Sequence, residues 1–343
     1  MRLPVDLRSD TVTQPTPAMR TAMMEADLGD DVFQDDPTIL RLEQRGAEVV
    51  GQEAGLFMAS GTMGNQVAIM THARRGNEVL VGRPCHIQEH EVGAAAVLSG
   101  VTLAPIDAPT GLLHPDDVAR AIRSPDVHHP ETGLLCLECA HSSGAVQPID
   151  SLRAAIDVAR DHDVPVHLDG ARIFNAAHVL ETTAAEVAQG ADSVMYCLSK
   201  GLGAPIGSLL CGSRDFIARA RRNRKSLGGG MRQVGFLGAA GLYALEHHVA
   251  RLGEDHTRAD RLAAALAEVP SISICEDRRH INMVWFRHAD GGDPLRLVQA
   301  MLDRQVKIFR PLGGEWRLVT HLDIDDEALD YAIDHLRAVF GRP

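Results

Sequence analysis

The sequence predicts an α/β fold with a mainly parallel sheet, followed by a smaller α+β region. Short apolar runs alternate with amphipathic helical stretches over residues 38–252, and after residue 252 the pattern changes to mixed strands and helices. The candidate catalytic residues also fall directly after apolar runs. Such alternation is typical of a parallel sheet covered by helices on both faces, whose ligands collect at the carboxyl ends of the strands.

The predicted strands are apolar runs of the length that buried strands have. They lie at residues 78–82, 101–107, 134–140, 164–169, 193–197 and 207–212. Stretches with helical spacing of apolar residues lie at 38–51, 62–74, 86–98, 115–123, 150–162, 215–224 and 232–252. Beyond them the pattern predicts a helix at 257–267, strands near 271–287, a helix at 294–304, a strand at 316–321 and a helix at 326–340. We expect a large domain over residues 1–250 and a small C-terminal domain over residues 251–343.

Length and charge limit the classes of partner. The chain has 343 residues, 45% of them hydrophobic, and a formal net charge of −12. The apolar content is ample for a packed interior. Because phosphate backbones and anionic lipids repel an acidic chain, nucleic acid and membrane surfaces are poor candidates as partners, and a small molecule is the expected one.

The sequence predicts a cytoplasmic protein. It contains no apolar run of roughly 18 residues that would cross a membrane, and its first residues lack the apolar core of a signal peptide. The six cysteines are too few for a disulfide scaffold in a chain of this size, and most lie inside apolar runs. Buried free thiols in a reducing compartment are the expected state.

A segment of small residues, Ser60–Asn65, lies between the apolar stretch GLFMA and a helical pattern that begins with QVAIM. Open backbone N–H groups at a helix N-terminus favour an anion there, and phosphate is the expected occupant. Considered alone, an ordinary capped helix start explains the segment at least as well. It matches neither the dinucleotide glycine motif nor the nucleoside-triphosphate motif.

Two side chains with suitable chemistry follow predicted strands. Asp169 ends the run VPVHLD, and Lys200 follows the run SVMYC one helix-and-strand unit later. On neighbouring strand ends, a carboxylate can hold a protonated pyridine nitrogen and a partly desolvated lysine can form an imine. Taken singly, Asp169 is also a common turn residue and Lys200 a solvated loop lysine. Arg172 is a candidate for binding a carboxylate or a phenolate oxygen.

A glycine run, Gly228–Gly230, opens a predicted long helix that contains Arg232. Glycines at such a position let the backbone and an arginine approach a phosphate. A flexible loop is an equally good interpretation of this run by itself.

Seven segments together resemble the L-threonine aldolase family, which consists of fold-type-I pyridoxal-phosphate enzymes. In chain order they are DLRSDTVTQPT (6–16), LGDDVFQDDPT (28–38), SGTMGNQ (60–66), HLDGARIFNA (167–176), CLSKGLGAPIGSLL (197–210), LGGGMRQVG (227–235) and RLVTHLD (317–323). They cover essentially the whole chain. The resemblance implies an aminotransferase-like large domain, a smaller C-terminal domain and pyridoxal 5'-phosphate as cofactor.

The resemblance implies a role for each matched residue at the cofactor. Lys200 is the expected Schiff-base lysine, Asp169 the partner of the pyridine nitrogen, and His86 the histidine that stacks on the ring. The other expected cofactor contacts are Gly61, Thr62, Met63, Arg172, Ser199 and Arg232. Arg232 is expected to reach the phosphate of a neighbouring subunit, in a homotetramer built from dimers with shared active sites. No metal ligand is expected.

The resemblance also implies the substrate contacts and the reaction. Ser9, Arg172 and Arg317 match groups that bind the substrate carboxylate, and His128 matches a second histidine near the substrate hydroxyl. The implied reaction is retro-aldol cleavage of L-threonine, L-allo-threonine and related β-hydroxy amino acids to glycine and an aldehyde. The base is His86, His128 or a water between them, and the sequence leaves all three open.

The chain departs from the family pattern at three places that bear on substrate range. Phe33-Gln34 stands where tyrosine-glycine is common, so a hydroxyl near the substrate is lost. Cys139-Ala140 replaces an asparagine-threonine pair, and His129-Pro130 follows His128 where an aromatic residue is common.

Two short motifs suggest other chemistry. His86–His90 fits the H-x-x-E-H pattern of inverted zinc peptidases, but 17 histidines make a chance match to so short a pattern expected. Cys136 and Cys139 have C-x-x-C spacing, yet residues three apart in a strand point to opposite faces, which suits neither zinc nor redox chemistry. A non-catalytic cofactor-binding protein is the third alternative, and the retained Lys200 and Asp169 argue against it.

Overall fold

The computed structural model describes residues 4–289 and 293–341. Its strands are β1 (Val5–Asp6), β2 (Ala54–Met58), β3 (Glu78–Arg83), β4 (Thr102–Asp107), β5 (Thr132–Glu138), β6 (Val166–Asp169), β7 (Ser193–Cys197), β8 (Ser208–Gly212), β9 (Ile272–Ile274), β10 (Met283–His288), β11 (Val306–Lys307) and β12 (Glu315–Val319). Its α-helices are α1 (Pro17–Met24), α2 (Pro37–Val49), α3 (Gly61–His72), α4 (His86–Glu89), α5 (Pro115–Ala121), α6 (Ile149–Asp161), α7 (Ile173–Val179), α8 (Ala184–Ala188), α9 (Arg214–Ser226), α10 (Gly235–His247), α11 (Leu252–Ala267), α12 (Pro294–Leu302) and α13 (Asp326–Phe340).

A seven-stranded sheet forms the centre of the molecule, in the order β2-β8-β7-β6-β5-β3-β4. Neighbours from β7 to β4 are parallel, and β8 runs antiparallel to both β7 and β2. The predicted mainly parallel sheet is therefore confirmed. The chain changes direction across the sheet between β3 and β5, and parallel sheets bind ligands in the crevice at such a switch point.

Burial on both faces explains why these strands form from continuous apolar runs. Every residue of β6, β7 and β8 is buried, and the surrounding helices cover both sides of the sheet. Leu168, Leu209 and Leu210 have no exposed surface. Each such leucine contributes about 1.5–3 kcal/mol of burial free energy, so the strand ends that carry the site rest on a rigid platform.

A second, smaller layer packs beside the large sheet. It contains the antiparallel sheet β12-β10-β9, with α11 and α13 against it, and the parallel pair β1-β11. Its core includes Val5 and Leu7 from the start of the chain together with Phe286, Trp316 and Phe340. The N-terminal residues thus pack with the C-terminal part, while the division of domains at residue 250 stays a prediction.

Two predicted helices differ most from the structure in their bounds, and one apolar stretch forms a strand that was not predicted. The helix expected at 86–98 is broken into α4 and a π-helical turn, Ala95–Ser99, because Val92 and Gly93 have φ of +57° and +68°. The helix expected at 232–252 covers only Gly235–His247. The apolar stretch GLFMA supplies an additional strand, β2. Within the described residues, no helix is long and apolar enough to cross a membrane.

Candidate active site

The carboxyl ends of the parallel strands and the small layer enclose a cavity of about 550 Å³. This volume is within the range of small-molecule sites. Five residues selected from the sequence line the cavity: Ser9, His86, Arg172, Lys200 and Arg317. They come from the N-terminal segment, α4, the loop after β6, the loop after β7 and β12, so a single chain brings these distant motifs together.

Asp169 lies at the end of β6 and belongs to a buried group that we call the floor: Asp169, Asn65, Glu91 and His167. Its Oδ1 accepts the Ala171 N–H at 3.0 Å, and its Oδ2 accepts an amide hydrogen of Asn65 at 2.8 Å. Both hydrogen bonds come from neutral groups. A carboxylate only 3% exposed and held in this way is suited to a cationic ligand group such as a pyridinium N–H.

His86 is joined to the floor through Glu91. The His86 Nδ1 atom lies 2.8 Å from Glu91 Oε1. This hydrogen bond, working against partial burial, raises the pKa of His86 above its ordinary value. The left-handed backbone at Val92 and Gly93 follows Glu91 and separates α4 from the π-helical turn. With Nδ1 bonded to Glu91, Nε2 is the ring nitrogen free for chemistry.

Arg172 is fixed by a buried ion pair with Asp10. Its Nε and Nη2 atoms each donate to an Asp10 oxygen at 2.7 Å. Burial alone would raise the pKa of Asp10, but the Arg172 guanidinium holds it well below the ordinary value, so the pair is charged. The bidentate contact leaves both Nη1 hydrogens and the second Nη2 hydrogen of Arg172 without an Asp10 partner.

The part of the cavity lining that comes from the small layer, which we call the wall, includes Arg278, Trp285, Phe309, Arg310 and Arg317. Arg278 pairs with Glu315 at 2.6 Å. Arg317 forms no ion pair with a carboxylate among the described residues; it contacts the Arg8 carbonyl at 3.4 Å, and its Cζ lies 5.7 Å from the centre of the Trp285 ring. Burial and the nearby Arg172 charge lower the pKa of Arg317. A desolvated, unpaired guanidinium beside Lys200 is a strong site for a carboxylate.

The N-terminus of α3 carries the predicted phosphate residues Gly61, Thr62 and Met63. The Ser60 side chain caps the helix by accepting the Met63 N–H at 3.1 Å. A Cβ on Gly61 would lie 3.0 Å from Cys197 Sγ, so glycine lets the helix begin tightly against β7. Residues 199 and 200 follow β7 directly, and Thr13 of the N-terminal segment donates to the Lys200 carbonyl at 3.1 Å.

Two predicted residues lie away from the cavity within one chain. His128 is exposed in the loop before β5, at the amino ends of the parallel strands, where its N–H bonds Asp126. Arg232 is exposed and pairs with Asp30 at 2.7 Å. If either acts on the cofactor or substrate, it does so in another subunit, and both roles stay predictions.

The H-x-x-E-H motif does not form a paired-histidine metal site. Among the described residues, the possible ligand group that contains His86 is completed by Glu91 and Asp169, and His90 is not part of it. The imidazole ring of His90 lies 5.4 Å from that of His86, and His86 Nδ1 is engaged with Glu91. The six cysteines, including Cys136 and Cys139, are free and buried, as the sequence predicts.

Several residues that shape the site were not selected from the sequence. Asp10, Asn65 and Glu91 lie inside the motifs DLRSDTVTQPT, SGTMGNQ and HIQEHEVG, but their partners are far away in sequence. Asn65 meets Asp169 across 104 positions, and Arg172 meets Asp10 across 162. The only sequence signal for these three residues is that each is a charged or amide side chain within a motif.

Comparison with known proteins agrees with this geometry. The family model described as beta-eliminating lyase matches residues 6–289. Low specificity L-threonine aldolase of Escherichia coli K12 is 45% identical over 340 residues, which cover 98% of this chain and 100% of that protein. The chain belongs to the threonine aldolases of the beta-eliminating lyase family. The family and the lyase class that the motifs predict are thereby confirmed.

Solved structures share the fold. Threonine aldolase from Leishmania major has a TM-score of 0.80 at 22% identity, covering 98% of this chain and 100% of that chain. A serine palmitoyltransferase from S. paucimobilis, solved with bound PLP and myriocin, has a TM-score of 0.78 at 15% identity, covering 99% and 90% of the two chains. The predicted fold-type-I architecture is confirmed.

Proposed function

We propose that this chain uses pyridoxal 5'-phosphate to cleave L-threonine, L-allo-threonine and related L-β-hydroxy-α-amino acids into glycine and an aldehyde. The observation that carries the proposal is one cavity lined by Lys200, His86 and a half-buried Arg317 that has no carboxylate partner among the described residues. The name of the Escherichia coli relative supports the substrate class.

The residues present fit the cofactor. Lys200 would bond its aldehyde carbon, Asp169 would accept the pyridinium N–H, and His86 would lie against the ring. Its phosphate would take the α3 N-terminus at Gly61–Met63, with Ser199 beside it and Arg232 from a neighbouring subunit. When bound, the cofactor supplies an aldehyde that condenses with amines and a ring that accepts the electron pair left at Cα.

Substrate orientation decides which bond breaks. Arg317, the free donors of Arg172 and the Ser9 hydroxyl would hold the carboxylate, and Asp10 fixes Arg172 for this purpose. Anchoring the carboxylate would keep it in place and would leave the Cα–Cβ bond as the one oriented for cleavage. The wall therefore favours cleavage of the side chain over loss of carbon dioxide.

The β-hydroxyl must lose its proton as the Cα–Cβ bond breaks. His86 Nε2 can accept it, because Glu91 holds the opposite ring nitrogen. His128 from another subunit, or a water between the two imidazoles, is the alternative acceptor. The Cα–Cβ electron pair stays on Cα, the β-carbon leaves as the aldehyde, and a proton delivered to Cα completes glycine.

Two predicted site residues that one chain leaves outside its own cavity support an assembly with shared sites. We expect a homotetramer in which His128 and Arg232 complete neighbouring sites. Mixing an inactive Arg232→Ala variant with an inactive Lys200→Ala variant should then restore activity after subunit exchange. Verified exchange without recovery would mean that each chain builds its own site. Six free, buried cysteines suit a reducing cytoplasm.

Product analysis tests the proposed reaction. Purified protein loaded with pyridoxal phosphate should convert L-threonine or L-allo-threonine into equal amounts of glycine and acetaldehyde. Glycine is measured by chromatography and acetaldehyde by coupled NADH oxidation. Formation of 2-oxobutyrate and ammonia instead would overturn the proposal in favour of elimination. Phenylserine should also be cleaved if Phe33, which is exposed beside Arg232, offers an apolar surface to a neighbouring site.

A further inference from the structure

A continuous chain of hydrogen bonds runs through the floor, from the end of α3 to the two buried carboxylates. His72 Nε2 lies 2.9 Å from Ser193 Oγ, and the same oxygen lies 2.9 Å from His167 Nδ1. His167 Nε2 lies 3.0 Å from Asn65 Oδ1. The Asn65 amide nitrogen then donates to Glu91 Oε1 and to Asp169 Oδ2, both at 2.8 Å.

The secondary structure places these groups in line. His167 and Asp169 are two apart in β6 and therefore share one face of the sheet. Ser193 of β7 is the register partner of His167. Asn65 and His72 are seven apart in α3, which is two helical turns, so one face of the helix covers both positions. Asn65, His167 and Ser193 have no exposed surface.

The donors and acceptors give this chain of hydrogen bonds one direction. Two carboxylate oxygens face the Asn65 nitrogen, so both amide hydrogens point at them and Oδ1 faces His167. His167 must then carry its hydrogen on Nε2 and accept at Nδ1, where the Ser193 hydroxyl donates. Ser193 in turn accepts from His72. Burial lowers the pKa of His167 to about 4 and that of His72 to about 3, so both rings are neutral at working pH.

We propose that Asn65 is a positioning residue that sets Asp169 and Glu91 together, with His167 and Ser193 holding its amide in place. Asn65 thereby fixes two carboxylates: that of Asp169, which would bind the cofactor nitrogen, and that of Glu91, which orients His86. This inference rests on the proposed function, because it assigns the network to the cofactor site. A directed chain of this kind costs little reorganisation when the cofactor binds.

Variants of similar shape test whether Asn65 acts through its hydrogen bonds or only through packing. Asn65→Asp keeps the shape of the side chain but replaces the donor with an oxygen beside two carboxylates. We expect it to raise the dissociation constant for pyridoxal phosphate by about tenfold or more and to shift the pH midpoint of the bound cofactor's visible band. Thr71→Val, on the same helix but outside the network, is the control for loss of a buried hydroxyl and should change neither quantity. An Asn65→Asp variant that matches this control would overturn the proposal.

The His167 pair tests the proposal even if Asn65→Asp does not fold. His167→Gln keeps an amide donor for Asn65, whereas His167→Phe keeps only the ring shape. We expect His167→Phe to weaken cofactor binding severalfold and His167→Gln to restore most of it. Equal binding by the two variants would contradict the role. Wild-type protein that binds no pyridoxal phosphate would instead refute the proposed function.

Discussion

The buried floor, which is joined to the cavity through His86, and the wall differ in how their polar groups are satisfied. In the floor, every polar side-chain atom of Asn65, Glu91, Asp169 and His167 has a hydrogen-bond partner. In the wall, Arg317 lacks a carboxylate, and the buried indole nitrogen of Trp285 has no partner within the described residues. The floor is complete without a ligand, whereas the wall leaves donors that a ligand can use.

This difference indicates that the floor and the wall have different functions. A satisfied buried network is rigid and holds its groups in one geometry, which suits a resident cofactor. An unpaired buried cation is unfavourable by itself, and binding an anion relieves that cost. We therefore assign cofactor geometry to the floor and substrate binding to the wall, and the following variants test that assignment.

Replacement of Lys200 should have the largest effect of these variants. Lys200→Ala should remove the visible band of the lysine-bound cofactor and lower turnover by about 10⁴-fold or more, since the residue acts as part of a unit. Lys307→Ala is the control, because Lys307 lies in β11 and not at the position of Lys200, where the cofactor would be bonded. Absorbance and steady-state rates measure both effects. A Lys200→Ala protein that keeps its band and its rate would refute the assignment of Lys200.

Removal of the anion that fixes Arg172 should chiefly affect stability. Asp10→Asn leaves a buried guanidinium without its charge partner, which should lower the free energy of unfolding at pH 7 by about 3–5 kcal/mol. Because Arg172 holds the folded-state pKa of Asp10 below 3.8, the stabilisation is present above that value and is lost as the pH falls through the folded-state pKa. The difference between wild type and variant in urea unfolding should therefore shrink in acid. The exposed Asp326→Asn should change stability little, and equal losses in the two variants would contradict this account.

Replacement of the floor carboxylate should slow the reaction while leaving some cofactor bound. Asp169→Asn cannot hold the pyridine nitrogen protonated, which weakens the ring as an electron acceptor. An increase of about 2–4 kcal/mol in the activation free energy is typical for loss of such an electrostatic partner. The kinetic constants for L-threonine measure it. Kinetics close to wild type would remove Asp169 from this role.

A change of pH dependence should be the smallest effect. Glu91→Gln removes the hydrogen-bonded anion that raises the pKa of His86, so that pKa should fall. If neutral His86 is the base, the acid limb of the kcat/KM profile should move to lower pH. Glu89→Gln is the control. Glu89 lies three residues after His86 in α4, and its replacement should leave the acid limb of the profile in place. Identical profiles for the Glu91→Gln variant and wild type would exclude His86 as the titrating base.

Sequence predicted the strand ends and five residues that line the cavity, because apolar runs and local motifs report on them directly. Asp169 ends β6 and Lys200 comes after β7, where the pattern places them. The pairing of β1 with β11, in which Val5 meets Val306, has no local signal. The helix break at Val92 was also missed, because a β-branched residue with positive φ reflects tertiary contacts and not local preference.

Glycine binding tests the division between floor and wall most directly. Glycine carries the carboxylate but no side chain, and its dissociation constant can be read from the cofactor spectrum. Arg317→Ala should raise that constant by at least about thirtyfold while leaving the affinity for pyridoxal phosphate unchanged. Arg287→Ala, which removes an exposed arginine from the same small sheet, should alter neither value. Wild-type glycine affinity in Arg317→Ala, or loss of cofactor binding in that variant, would contradict the account.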